Sequence, residues 1–222
     1  MTTTRWLLTC GVVAGPLFVS AVLVQAAARD GFRIGHHPLS LLSLGGLGWI
    51  QIANFGIAGA LYVVAAVGVR RAVPDAGWLA RAVAGIGVGL IVAGVCVTDA
   101  GAGFPPGTPD RAPERVSWHG VLHEVGFGVT ILSWLALCVI CARRGRERRE
   151  WGMVGGSAGT LAVVLVVVGW PDMGSLSVRL LVATAIQFGF VAVVLLLCPR
   201  MGVGFDVPHE SRIDAAPGKE WS

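Results

Sequence analysis

The chain has 222 residues, of which 55% are hydrophobic and only 14% charged, with a formal net charge of +4 and a mean hydropathy of +0.73. Soluble domains carry about 25% charged residues, so a water-soluble globule of this size would lack the polar surface to cover so much apolar material. A disordered chain is excluded as well, because it requires low hydrophobicity and high charge.

What remains is one membrane-embedded domain. A helix crossing the hydrocarbon needs about 20 apolar residues, and six stretches meet or approach that length: 7–28, 50–69, 79–98, 120–141, 152–170 and 180–198. None alternates with the period of two that a barrel strand shows, and an open sheet edge is not tolerated in lipid. The expected fold is therefore all-α, a polytopic bundle of six transmembrane helices over residues 1–198. Residues 199–222 read as a polar cytoplasmic tail, disordered by composition. The first stretch has a rival reading, since Arg5, an apolar run and Ala26-Ala27-Ala28 resemble a signal peptide with its cleavage site. Its apolar run exceeds the usual signal core of about 7–15 residues, which favours a retained helix.

Pairs of glycines four apart, Gly11/Gly15, Gly85/Gly89, Gly152/Gly156 and Gly155/Gly159, each lie on one helix face. Such faces let backbones approach closely, inside a bundle or at a homo-oligomer seam. Trp49, Trp118 and Trp170 mark one interface and Trp6, Trp78 and Trp151 the other, as an aromatic belt does. Cys138 and Cys141 form a C-x-x-C, but inside an apolar helix pattern, where buried small residues are the expected role.

Orientation follows the Lys/Arg distribution. With the N-terminus inside, the cytoplasmic segments carry twelve basic residues, from Arg5 through the run Arg143–Arg149 to Lys219. The outer segments carry five: Arg29, Arg33, Arg111, Arg115 and Arg179. Both termini are thus expected in the cytoplasm, with the protein in the inner (plasma) membrane. The basic runs are orientation signals and headgroup anchors, and no nucleic-acid partner is expected.

On this topology the polar groups gather at the outer side. The first outer loop carries His36, His37, Ser40 and Ser43; the third helix ends at Asp99; the fourth opens Ser117-Trp118-His119-Gly120-Val121-Leu122-His123-Glu124. An ionisable group at bilayer depth costs roughly 2.5–3.5 kcal/mol on insertion scales, so it marks a bundle interior or a wet cavity. His119 and His123 share a helix face, the spacing that offers two nitrogens to one zinc ion, with Asp99 or His37 as a further ligand. Zinc would activate a water, Ser40 would orient that water or a developing oxyanion, and Glu124 would move protons. The structural alternatives are equally concrete. The histidines can be hydrogen-bonded packing residues, Asp99 can cap a helix or pair with Arg111 or Arg115, and Ser117 suits the N-cap of the fourth helix.

At these residues the chain resembles the bacterial integral membrane family catalogued as domain of unknown function 998. The likeness rests on Gly15-Pro16-Leu17, on His37-Pro38-Leu39-Ser40 leading to Gly48-Trp49, and on His119-Gly120-x-x-His123, with Asp99 in the same pattern. It extends over about residues 8–198 and implies a six-helix membrane protein, with no catalytic residues to carry over. The Ser, Asp and H-x-x-x-H set is also similar to that of membrane hydrolases of the alkaline ceramidase and adiponectin-receptor type. This chain departs from them in having six spans and in placing H-x-x-x-H on the fourth. The leading expectation is a membrane protein that binds a lipid at the outer leaflet or a protein partner. A zinc-dependent membrane hydrolase or lipid-modifying enzyme is the alternative. Transport ranks last, because no span carries a charge near its middle.

Overall fold

The computed structural model describes residues 2–201; Met1 and residues 202–222, with nearly all of the expected tail, lie outside the described residues. Lipid offers backbone amides no partner, so each crossing segment must satisfy its own hydrogen bonds. The chain does so in α1 (Thr2–Ala28), α2 (Gly48–Ala72), α3 (Gly77–Val95), α4 (Trp118–Glu147), α5 (Trp151–Gly169) and α6 (Leu176–Met201). All six are long and apolar enough to span a membrane, and no strand occurs among the described residues. This is a multi-pass membrane protein. Valines and leucines such as Val24, Leu132, Leu165, Val166 and Leu196 point outward, which accounts for a composition that water would not tolerate.

Each helix packs on its neighbours in the chain, and α6 returns to α1, so the six close a ring in chain order. Glycine sets the tightest seams. A Cβ on Gly59 would lie 2.6 Å from the Gly87 carbonyl, and one on Gly89 would lie 2.6 Å from that of Gly126, so α2, α3 and α4 meet backbone to backbone. Gly11 and Gly15 serve the seams of α1 with α2 and α6, whereas Gly152, Gly155, Gly156 and Gly159 of α5 meet nothing within 4 Å. The helix ends differ from the limits of the apolar runs. α4 continues through Arg143, Arg144 and Arg146 to Glu147, because helical hydrogen bonding does not require apolar side chains. α3 stops at Val95, before Thr98, and the freed backbone is used by α4, as described below.

The two ends of the ring have different chemistry. At the arginine end, Asp75 in the α2–α3 turn accepts from Arg144 at 3.0 Å and lies 3.8 Å from Arg148. The Arg144 hydrogen bond holds the Asp75 carboxyl below its usual range. At the histidine end, two long loops interlock. Phe104 of the α3–α4 loop is buried against Phe32 and His37, with the Arg29 guanidinium 5.5 Å from its ring centre. Arg29 also donates to the Leu42 and Leu44 carbonyls, holding a 3₁₀ turn, Leu39–Ser43. Arg179 at the start of α6 donates to the carbonyls of Val167, Val168 and Trp170, which α5 leaves unpaired at its C-terminus. The six tryptophans expected at the interfaces are all exposed, and Trp134 is buried in the bundle. Cys138 and Cys141 are buried free thiols.

Candidate functional site

The last carbonyls of α3 and the first amides of α4 have no partners within their own helices, and the two helices satisfy one another. Ser117 caps α4, its hydroxyl accepting from the Gly120 amide. Asp99, beyond the end of α3, accepts from the Ser117 amide at 2.9 Å. The Ser117 hydroxyl and amide together hold the Asp99 carboxyl below its usual range. A Cβ on Gly120 would collide with Asp99 Oδ2, so glycine at this position leaves room for the carboxylate. In return, His119 Nδ1 lies 2.8 Å from the Val97 carbonyl, and His123 Nδ1 lies 2.7 Å from that of Ala93 and 3.1 Å from that of Cys96. A carbonyl can only accept, so both Nδ1 atoms carry a proton, and in the corresponding neutral tautomer Nε2 is the acceptor.

This arrangement separates the residues expected to share a metal. His37 sits in the first loop, beside Phe32 and Phe104, where its Nδ1 accepts from the Arg33 amide at 2.8 Å. Burial, with His36 and Arg33 nearby, pushes its pKa below the ordinary 6.5. His36 bonds Asp110 at 2.9 Å and so ties the two loops together. Arg111 pairs with Glu114, while Asp99 serves the helix cap. Among the described residues, no three His, Cys, Asp or Glu side chains are grouped so that they could hold a metal ion.

The ring instead encloses a cavity of about 420 Å³, reaching from the 3₁₀ turn at the histidine end down between α4, α5 and α6. That volume is in the range of small-molecule sites, about 300–1,000 Å³. Its mouth holds Ser40, His123 and Glu124, three of the residues singled out in the sequence. Below them the wall is apolar, with Phe127, Ile131, Leu135, Leu161, Val164 and Phe188. At 1.5 Å per residue, Glu124 and Leu135 are about 16 Å apart along α4, roughly half of the hydrocarbon thickness. Ser43 donates to the Ser40 carbonyl within the turn at 2.6 Å, and Ser177 of α6 donates to the His36 carbonyl at 3.2 Å, which ties the loop leading into the turn to α6. A broader recess of about 570 Å³ along α1, lined by Val13, Leu17, Val24 and Leu47, opens outward and has the character of a lipid-facing furrow.

A family described as Protein of unknown function (DUF998) matches residues 12–204. The chain belongs to the DUF998 family. No curated protein and no solved structure matches it. The family therefore supplies membership and no activity, and the chemistry must be read from the cavity.

Two polar residues of that cavity are absent from the sequence-derived set. Gln187 of α6 lines the wall at 8% exposure. Trp134 of α4 lines the deeper part, and its indole Nε1 is buried without a partner. Thr130 and Thr184 by contrast satisfy themselves on the carbonyls of Gly126 and Leu180. A lone Gln or Trp in an apolar run belongs to no motif; the available signal was an amide inside a span, where unsatisfied polar groups are costly.

Proposed function

We propose that the protein binds a lipid-like amphiphile in the cavity enclosed by the six helices. The supporting observation is the combination of an apolar well, a polar mouth at Ser40, His123 and Glu124, and two polar side chains on its wall, Gln187 and Trp134, of which the Trp134 indole Nε1 is buried without a partner. Buried polar groups are normally paired, and a bound molecule carrying polar atoms at both levels would pair them. In this reading Ser40 and Glu124 hold a head group. Among the described residues, the segments of the arginine end carry ten basic residues and those of the histidine end five, which supports placing the arginine end in the cytoplasm, with the mouth toward the outer leaflet of the plasma membrane.

The test is ligand retention. Protein purified from its native membrane should carry a lipid-like molecule in near-stoichiometric amount, identified by mass spectrometry of an organic extract. Thr184→Trp, which fills the cavity from a half-buried wall position, should lose it. Identical extracts from both proteins would overturn the proposal.

A further inference from the structure

We infer that the ligand is an amphiphile with an amine head group, an assignment that rests on the cavity being a binding site. The mouth offers acceptors. Glu124 lines it and takes part in none of the ion pairs among the described residues. It lies six positions after the first residue of α4, about 9 Å along the helix, exposed at the rim of the cavity. His123 is 3% exposed and commits its Nδ1 proton to Ala93, so it presents Nε2 as an acceptor. No lysine or arginine lines the cavity. An ammonium has three donors and no acceptor; it meets the carboxylate, the imidazole nitrogen and the Ser40 hydroxyl, and it neutralises the one charge at the mouth. A phosphate or carboxylate would instead face a like charge with no cation to hold it.

The well sets the tail. Its apolar wall runs about 16 Å along α4 from Glu124 to Leu135, which takes an extended alkyl chain. Gln187 and the Trp134 indole stand farther down the wall and suit an oxygen function along the chain.

The experiment compares dodecylamine, dodecanol and dodecanoate, added to the full chain in phosphatidylcholine nanodiscs. Tryptophan fluorescence and thermal unfolding are the readouts, and Thr184→Trp is the cavity-blocked control for partitioning into the disc. Dodecylamine should bind at least about tenfold tighter than the other two, a difference of about 1.4 kcal/mol. Glu124→Gln should abolish that preference and Glu124→Asp should keep it. If the three probes bind alike, or dodecanoate binds best, the amine assignment is wrong and the cavity remains a binding site. If none distinguishes wild type from Thr184→Trp, the binding site itself is refuted.

Discussion

His123 Nδ1 lies 2.7 Å from the carbonyl oxygen of Ala93, a helix away. This contact fixes the tautomer of a histidine that also lines the cavity, so one side chain both fastens α4 to α3 and sets which nitrogen a ligand meets. The close approach is permitted three residues on, where Gly126 lets α4 touch the backbone of α3. In this protein the H-G-x-x-H segment is a clamp: His119 and His123 take up the loose carbonyls of α3, and Gly120 admits Asp99.

Removing the clamp should destabilise the protein independently of any metal. His123→Ala strands the carbonyls of Ala93 and Cys96 in a buried setting, and an unsatisfied buried group costs about 1–3 kcal/mol. The midpoint of thermal unfolding in nanodiscs should fall by several degrees, with or without a chelator. A midpoint that drops in the wild type on chelation, and not in the variant, would show that the histidine serves a metal.

Steric demand at the glycine seams should separate two classes of glycine. Gly126→Val places carbon against the Gly89 carbonyl and the Ala93 amide, in a seam with no flexible atom to yield. Overpacking costs about 1–3 kcal/mol even in cores that can adjust, so this variant should lose most of its folded yield. Gly155→Val, on an α5 face with nothing within 4 Å, should express and unfold like the wild type. Size-exclusion profiles of the two variants provide the check.

Much of this architecture was legible in the sequence, and the unread parts have a common cause. Hydropathy located all six spans because lipid contact is a property of single helices. It missed the continuation of α4 through Arg143–Glu147, since a helix outlasts its apolar segment. The i, i+4 spacing placed His119 and His123 on one face but carried no information about the opposite wall, which holds backbone carbonyls where zinc ligands were considered. Ser40, His123 and Glu124 do line one cavity, while Gln187 and Trp134 sit in apolar runs without a motif, and only packing reveals that they face the same cavity.

Acidification should loosen the histidine end first through His37. Its pKa is lowered, chiefly by burial, so the folded state prefers the neutral ring. That contribution is complete above the unfolded value near 6.5 and is lost as the pH falls below it. Asp110, held below its ordinary 3.8 by the hydrogen bond to His36, contributes above that value and fails only as the pH falls toward its lowered pKa. Limited proteolysis of the loop 101–117 should therefore accelerate between about pH 6.5 and pH 5, well before the carboxylate titrates. His37→Gln should flatten the profile in that window; an unchanged profile would assign the effect elsewhere.

Gln187 should reveal a conflict between stability and binding. Its side chain is 8% exposed on the apolar wall of the cavity, and a polar amide in apolar surroundings is desolvated at a cost. Gln187→Leu keeps a similar volume and removes that cost, so the ligand-free protein should unfold at a higher temperature than the wild type. The same change withdraws the polar partner offered to a ligand, so the retained molecule should be lost or its affinity reduced by about tenfold or more. A residue kept only for packing would show neither the gain nor the loss. If Gln187→Leu lowers the unfolding temperature and retains the ligand, the amide has a structural partner, and the polar wall plays no part in recognition.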